Sequence, residues 1–368
     1  MSFGTFFLPG PTDVRTDVLQ AMLRPMIPHR GADFENLFAT LQRGLKAVFM
    51  TERPVYISTS SATGLMEAGV RCTPPGAILS LVNGAFSERF AKIAVACERE
   101  TDRYDVPWGS IHEVTALEER LTAKRYAAIT VAHSETSTGA RNDVRAIAEM
   151  ARRHGVVCLV DSVSGVGGAE FRFDEWQLDY ALTGSQKALA VPPGLAFAVA
   201  SEAFIAGARS AAGRGVYFDL VEHEQFAVKN QSTSTPAISL YYALECQLEN
   251  ILRDGGMPLR WGRHTAMAER TWRWVGQMRD ELGLDFHVLA PDGHRSPTVT
   301  TVVVPPIFTG DQIVEVVGER GFTLGPGFAK LRQTTFRIGH MGDHTEETVQ
   351  HCLDATGEAI RALLAGAM

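Results

Sequence analysis

Between residues 77 and 201, short apolar runs alternate with segments of helical periodicity. The runs are AILSLVNG (77–84), AAITVAHSET (127–136), VVCLVDS (156–162), DYALTGS (179–185) and LAFAVAS (195–201). The first helical segment, SERFAKIAVACE, places Phe90, Ile93, Ala94 and Cys97 on one face. Continuous apolar strands separated by helices are typical of a mostly parallel sheet covered on both faces. The pattern therefore predicts an α/β protein.

The pattern changes after about Thr235. The stretch TPAISLYYALECQLENIL predicts a long amphipathic helix with Thr235 as N-cap and Pro236 in its first turn. Its apolar face carries Tyr241, Leu244, Leu248 and Ile251. Beyond it, strands and helices form a smaller α+β unit. We therefore predict two domains: a large one over residues 1–256 and a small C-terminal one over residues 257–368.

Composition and charge exclude several classes of protein. The chain has 368 residues and a net charge of −7 without a basic run, which argues against a nucleic-acid partner. The beginning of the chain lacks the pattern of a signal peptide, and no segment is apolar enough for a membrane span. The five cysteines are scattered, so disulfides and a zinc site are not expected. We expect a cytoplasmic protein without membrane contact.

Small and polar residues follow the middle strands. The segments are STSSATG, VNGAFSE, AHSETSTGA, VDSVSG and TGSQK. In open α/β sheets, ligands bind at the carboxyl ends of the strands. The convergence of these segments predicts a binding site at that edge.

Residues 60–64, SSATG, precede a helical segment. Small residues and hydroxyls at a helix start can bind an anion, although an ordinary Ser/Thr helix cap would explain the same residues. The P-loop pattern is absent, so a nucleotide P-loop is not supported.

Three charged residues stand beside or within apolar runs. Asp161 ends a strand and is either a helix or turn cap or the counter-charge of a bound cation. Lys187 lies between two apolar runs and is either a solvated loop lysine or an amine that forms a Schiff base. Arg337, in TFRIGHMG, suits a substrate carboxylate or a structural ion pair. The neighbouring His340 is expected to be a packed histidine at a strand end.

Together these features match the requirements of pyridoxal 5'-phosphate. The phosphate needs a helix start, the pyridine nitrogen a carboxylate, the aldehyde a lysine, and the carboxylate of an amino acid an arginine. No metal is required.

The chain resembles the class V aminotransferases of pyridoxal-phosphate fold type I, the group of alanine–glyoxylate and serine–pyruvate aminotransferases. The motifs that carry the resemblance occur in the family's order over nearly the whole chain. They are LPGPTDV, VLQAMLRPMIPHR, NGAFSERFAKIA, HSETSTGARND, VDSVSGVGG, GSQKALAVPPGLA, TPAISLYYAL and FRIGHMGD.

The resemblance implies a role for each matching residue. Lys187 would form an aldimine with the cofactor and shuttle the α-proton, and Asp161 would pair with the pyridinium nitrogen. Other expected cofactor contacts are Ser61, Ala62, Thr63, Phe86, Thr136, Val163, Gln186, Gln231, Ser234 and Thr235. Arg337 would bind the substrate carboxylate, and Gly10, in the PGPT segment, would line the mouth of the site.

The resemblance also implies a homodimer with shared active sites, in which Gln231 and Ser234 or Thr235 reach the partner's phosphate. Two positions depart from the family pattern. Phe86 stands where many relatives have tryptophan, and Gln231 stands where some have an aromatic residue.

The implied function is transfer of the amino group of a small L-amino acid, alanine or serine, to glyoxylate or pyruvate. Phosphoserine transamination is an alternative, with candidate cations for the second phosphate at His29, Arg30, Lys330 and Arg332. A lyase such as a cysteine desulfurase is disfavoured, because residues 321–336 contain no cysteine and Gln186 replaces the usual histidine. A cofactor-binding regulator or an NAD-binding protein is a further alternative, but SGVGGAE is only a fragment of the dinucleotide fingerprint.

Overall fold

The computed structural model describes residues 4–367 and contains two main β-sheets with helices packed against them. The strands are β1 (Thr5–Phe7), β2 (Val55–Ser58), β3 (Ile78–Val82), β4 (Thr101–Asp105), β5 (Ala128–Ala132), β6 (Ser134–Glu135), β7 (Ala140–Arg141), β8 (Val157–Asp161), β9 (Tyr180–Gly184), β10 (Ala196–Ala200), β11 (His287–Val288), β12 (Thr300–Val303), β13 (Phe322–Pro326) and β14 (Thr335–Ile338). The helices are α1 (Thr16–Ala21), α2 (Ala32–Phe49), α3 (Ala62–Arg71), α4 (Ala85–Ala96), α5 (Val114–Ala123), α6 (Val144–Arg153), α7 (Glu202–Ala208), α8 (Leu220–Ala227), α9 (Ile238–Arg253), α10 (Gly256–Leu282), α11 (Gly310–Gly318) and α12 (Glu346–Ala367).

The larger sheet has seven strands in the order β2-β10-β9-β8-β5-β3-β4. Neighbouring strands from β9 to β4 are parallel, and only β10 runs against its neighbours. The prediction of a mostly parallel, mixed α/β sheet is therefore confirmed. The register aligns Ala132 with Asp161 and Asp161 with Leu182, so β5, β8 and β9 end at the same edge.

The helices predicted from periodicity bury the expected faces. In α4, Phe90 and Ala94 are fully buried, and Ile93 and Cys97 of the same face are half-buried against the larger core. In α9, the four apolar residues of the predicted face are all buried in the larger core: Tyr241, Leu244, Leu248 and Ile251. Burial of such faces against the sheet supplies most of the stability of these helices.

The predicted cap of α9 is wrong. The helix begins at Ile238, and its N-cap is Ala237 instead of Thr235. The backbone N–H of Ala237 donates to the hydroxyl of Thr59 at 3.2 Å, which ties this segment to the end of β2. Residues 235–237 are therefore part of a connection to the larger sheet.

The smaller sheet has the order β1-β13-β14-β12-β11 and its own core. Its first strand comes from the opposite end of the chain: β1 pairs in parallel with β13, with Thr5 opposite Phe322. Phe7 of β1 is buried in the smaller core. The division at residues 256 and 257 remains a prediction, and α10 begins at Gly256.

Within residues 4–367, none of the helices has the length and apolar character needed to span a bilayer. The same part of the chain holds no group of three or more histidine, cysteine or acidic side chains placed to bind a metal ion.

Candidate functional site

A cavity of about 250 Å³ opens at the carboxyl ends of the parallel strands. It is lined by Gly10, Pro11, Ser61, Ala62, Thr63, Met66, Phe86, Arg89, Thr136, Asp161, Val163, Gln186 and Lys187. Most of the residues predicted from separate motifs therefore meet in one place. The strands deliver them, because β2, β3, β5, β8 and β9 each lead directly into one of the lining segments.

Lys187 is a buried amine, only 7% exposed, and not the solvated loop lysine of the alternative interpretation. It follows β9, and its Nζ donates a hydrogen bond to the backbone carbonyl of Pro9. Burial, assisted by the charge of Arg337, lowers the pKa of Lys187 to about 8. A substantial fraction of this amine is therefore neutral near physiological pH, as a nucleophilic lysine requires.

Asp161 ends β8 and is 5% exposed. Within residues 4–367, its side chain accepts one hydrogen bond, from the backbone N–H of Val163 to Oδ1 at 2.9 Å. Burial raises the pKa of Asp161 to about 7. A carboxylate with so few donors is poorly compensated, and a cation or N–H donor in the cavity would stabilise its charged form.

The N-terminus of α3 forms one wall of the cavity. Ser61 is the N-cap residue, yet its side chain makes no capping hydrogen bond. Among the described residues, none is recorded as a partner of the Ser61 hydroxyl or of the first-turn N–H groups at Ala62 and Thr63, which are therefore available to an anion. The ordinary side-chain cap that the sequence also allowed is not formed.

Phe86 and Thr136 approach the cavity from two further elements. Phe86 lies in the first turn of α4, and the centroid of its ring is 6.0 Å from Lys187 Nζ. The hydroxyl of Thr136 is hydrogen-bonded to that of Ser164 at 2.6 Å. A flat aromatic face and a hydroxyl thus stand near the amine and the acid.

Arg337 lies beside the cavity without lining it. It is 8% exposed and donates to two backbone carbonyls, of Thr136 at 3.1 Å and of Pro326 at 3.0 Å. Burial lowers the pKa of Arg337 to about 10. Among the described ion pairs Arg337 has no acidic partner, so the structural ion pair of the alternative interpretation is not formed there. His340 is buried and bonded to Thr300 and to the carbonyl of Pro297, as expected of a packed histidine.

Three predicted cofactor contacts lie outside this cavity. The amide of Gln231 donates to Glu35 at 2.9 Å, and Ser234 and Thr235 are exposed beside a separate cleft. Their predicted contact with a partner's phosphate remains a prediction.

The sequence interpretation missed several residues at the site. Arg89, one helical turn after Phe86, lines the cavity, and its guanidinium lies 4.9 Å from the ring of Phe86. Glu135 is fully buried beside α4. The sequence did contain a signal for Glu135. It is an acidic residue in a segment of otherwise apolar and small residues, where an ionised side chain needs hydrogen-bond partners. The four cations considered for a second phosphate do not line the cavity: His29, Arg30, Lys330 and Arg332.

These residues are suited to pyridoxal phosphate. The uncapped helix start can receive a phosphate, the under-compensated Asp161 can receive a protonated ring nitrogen, and the buried Lys187 can receive an aldehyde. Because each group is left incompletely compensated by the protein itself, the cavity is prepared for a ligand with these three parts.

Comparisons with known proteins agree with this arrangement. A sequence profile of the family described as Aminotransferase class-V matches residues 97–328. An uncharacterised aminotransferase of Methanocaldococcus jannaschii is 35% identical over 362 residues, which cover 97% of this chain and 92% of that protein. The serine–glyoxylate aminotransferase of Arabidopsis thaliana is 30% identical over 362 residues, covering 94% and 88%. The crystal structure of an alanine–glyoxylate aminotransferase from Nostoc sp. superposes with a TM-score of 0.90 at 28% identity, covering 98% and 96%.

Proposed function

The chain belongs to the class V aminotransferases, and we propose that it transfers the amino group of a small L-amino acid, alanine or serine, to glyoxylate or pyruvate. The substrates of the relatives from Arabidopsis and Nostoc support this choice. The α/β fold and the cavity at the strand ends agree with it.

We propose that pyridoxal phosphate binds in the cavity. Ser61, Ala62 and Thr63 would hold its phosphate with help from Gln186, and Asp161 would hold its ring nitrogen. Phe86 and Val163 would contact the two ring faces, and Thr136 would lie near the ring hydroxyl. When bound, the cofactor supplies a carbonyl that condenses with amines and a ring that withdraws electrons from the α-carbon.

The protein's own residues would then bind the donor and move its proton. Arg337 would bind the donor's carboxylate, since its guanidinium has no acidic partner among the described ion pairs. Gly10 would line the entrance. Lys187 Nζ would accept the α-proton and deliver a proton in return, which a lysine does well only when its pKa is lowered. Asp161 would remain ionised beside the protonated ring nitrogen.

The observation that carries this proposal is the shared cavity of Lys187, Asp161 and the uncapped N-terminus of α3. A lyase or a regulator could use the same three groups, so a measurement of amino-group transfer is needed to distinguish these functions. Protein supplied with pyridoxal phosphate should form glycine from glyoxylate when L-alanine or L-serine is the donor. Absence of transfer from both donors to glyoxylate and from L-serine to pyruvate would overturn the proposed function, even if the cofactor binds.

Phosphoserine transamination is a second candidate, and Arg89 favours it. This exposed guanidinium lines the cavity and takes part in no ion pair described for residues 4–367. It is therefore available for a second anionic group. Comparing L-serine with L-phosphoserine in the same assay separates the two candidates: a higher kcat/KM for L-phosphoserine selects the second.

We further propose a homodimer located in the cytoplasm. Exposed apolar side chains at Leu19, Leu23 and Met26 near the N-terminus support burial against a second copy. The five cysteines are free thiols, which agrees with a reducing compartment. Light scattering of the purified protein should give twice the mass of the chain, and a monomer would contradict the dimer.

A further inference from the structure

Glu135 is a fully buried acid that the proposed roles do not use. Its carboxylate accepts hydrogen bonds from the backbone N–H groups of Phe86 at 3.2 Å, Ser87 at 2.8 Å and Ser137 at 3.1 Å. It also accepts from the hydroxyls of Ser87 at 3.0 Å and Ser137 at 2.6 Å. Three backbone N–H groups and the hydroxyl of Ser137 donate to this carboxylate, and the hydroxyl of Ser87 is shared between it and the carbonyl of Gly84, in contrast to the single donor at Asp161.

The carboxylate occupies the place of a helix cap. The N-cap of α4 is Gly84, which has no side chain of its own to accept from the first-turn N–H groups. A β-carbon at Gly84 would be 2.3 Å from Glu135 Cγ, so a conventional cap residue and Glu135 cannot be accommodated together. Glu135 therefore performs the capping from a different element, with its negative charge at the positive end of α4.

This cap acts on the wall of the cavity. Phe86 is the second residue of α4, and its backbone N–H is one of the donors to Glu135. Its ring lines the cavity that contains Lys187. We propose that Glu135 is a positioning residue: its carboxylate fixes the start of α4 and thereby holds the ring of Phe86 where it contacts pyridoxal phosphate. This inference rests on the proposed function.

The charge of Glu135 also reaches the other ionisable groups of the site. Burial is the main cause of the lowered pKa values of Lys187 and Arg337, and Glu135 opposes that lowering in both. For Asp161, burial is again the main cause of the raised pKa, and Glu135 adds to it. Removing the negative charge should therefore lower the pKa of all three groups.

A double-mutant cycle tests the proposal. Cofactor-free protein is titrated with pyridoxal phosphate, and the dissociation constant is measured for wild type, Glu135→Gln, Phe86→Ala and the double variant. We expect each single variant to weaken binding about tenfold: Phe86→Ala removes the ring that contacts the cofactor, and Glu135→Gln leaves that ring out of place. The double variant should bind within about threefold of Phe86→Ala alone, because the main effect of Glu135 on cofactor binding passes through Phe86 and its charge at Lys187 and Asp161 adds a smaller one. The proposal would be overturned if the effects of the two single substitutions on the dissociation constant multiply in the double variant. It would also be overturned if Glu135→Gln binds the cofactor within twofold of wild type.

A second readout separates positioning from loss of stability. In protein loaded with pyridoxal phosphate, the pH midpoint of the visible absorbance should fall in Glu135→Gln and return towards wild type in Glu135→Asp, which keeps the charge. The matched control is Glu347→Gln, an exposed acid in the first turn of α12, which should change neither readout. An unchanged midpoint in Glu135→Gln would contradict the role.

Two outcomes keep this inference distinct from the proposed function. If wild type binds no pyridoxal phosphate, the proposed function fails and the role of Glu135 fails with it. If wild type binds and transaminates but the cycle is additive, only the role of Glu135 fails. Should Glu135→Gln not fold, Glu135→Asp replaces it in the same cycle, since it keeps the charge but shortens the side chain that accepts from Phe86 and Ser87.

Discussion

Gly10 lies against the side chain of Lys187: a β-carbon at Gly10 would be 2.7 Å from the amine nitrogen and 2.5 Å from Cδ. Gly10 also has a φ of +91°, in the region that favours glycine. We expect Gly10→Ala to displace Lys187 and lower kcat/KM on the order of 100-fold, because small misplacements of reacting groups are costly. Strain should reduce the free energy of unfolding by about 1–3 kcal/mol. Steady-state kinetics and urea unfolding measure the two effects.

The control for this substitution is Gly293→Ala. Gly293 has a φ of +78°, but no atom of residues 4–367 outside its immediate neighbours lies within 4 Å of the added β-carbon. This variant should show the backbone strain without the loss of activity. If Gly10→Ala loses no more activity than Gly293→Ala, the contact with Lys187 is unimportant.

The lowered pKa of Lys187 predicts a pH dependence for cofactor uptake. The neutral amine is the nucleophile, and burial followed by the charge of Arg337 brings its pKa to about 8. The rate at which cofactor-free protein develops visible absorbance with pyridoxal phosphate should therefore rise with pH and level off above about 8. Stopped-flow measurements from about pH 6.5 to 9.5 cover this range. A midpoint near the ordinary value of 10.5 would contradict burial of the amine.

Lysine variants identify the amine. Lys187→Ala should abolish the visible absorbance and lower turnover by a factor on the order of 100–10,000, the usual contribution of a general base. Lys92→Ala removes a lysine from α4 whose side chain is 71% exposed and should leave both unchanged. A normal absorbance band and full turnover in Lys187→Ala would remove the assignment.

Most of the larger sheet could be predicted from the sequence, whereas β4 at its edge and β1 of the smaller sheet could not, for physical reasons. The strands that form its centre are buried on both faces and therefore appear as continuous apolar runs. The strand β4 (TDRYD) lies at the sheet edge and carries polar residues, so periodicity gives no signal. The strand β1 has three residues and is stabilised by β13, whose partner Phe322 is far away in the chain. Local patterns do not contain such a pairing.

The site could be predicted in part for the same reason. Asp161 and Lys187 follow strands of one parallel sheet, and the topology brings strand ends together. Glu135 was missed because its function depends on N–H groups of α4, which lies 48 positions away. In the sequence, the missing cap side chain at Gly84 and the acid in HSETSTG are unrelated observations. Only the folded structure places the acid beside the start of α4.

The raised pKa of Asp161 predicts how stability changes with pH. Its folded pKa of about 7 lies above the ordinary value of 3.8 because of burial, so the ionised acid destabilises the folded cofactor-free protein. The protonated acid, in contrast, contributes to the free energy of unfolding. This contribution is fully present below about pH 3.8 and is lost as the pH rises through about 7. Between pH 5 and 7.5, wild type should lose on the order of 2 kcal/mol more than Asp161→Asn. Urea unfolding of cofactor-free protein at the two values measures this difference, and equal losses would contradict the burial effect.

Asp161→Asn should have the opposite effect on function. The neutral amide cannot stabilise a protonated ring nitrogen, so turnover should fall although the cofactor-free protein becomes more stable at pH 7.5. Asp143→Asn provides a comparison: Asp143 caps α6, where its side chain accepts from the N–H of Ala146 at 3.0 Å. That variant should lose stability and keep its kcat. An Asp161→Asn enzyme with wild-type kcat would contradict the proposed contact.

Arg337 should determine how tightly the amino donor binds. Its buried guanidinium donates to two backbone carbonyls and takes part in none of the described ion pairs, so a substrate carboxylate would supply its counter-charge. We expect Arg337→Gln to raise KM for L-alanine about 10- to 100-fold, as for loss of a charge-assisted hydrogen bond. Because Arg337 also lowers the pKa of Lys187, the pH midpoint of cofactor uptake should move above about 8.

The control Arg332→Gln removes a largely exposed arginine paired with Asp311 and should change neither the KM for L-alanine nor this pH midpoint. An unchanged KM in Arg337→Gln would assign the carboxylate to a different residue, with Arg89 the next cation in the cavity.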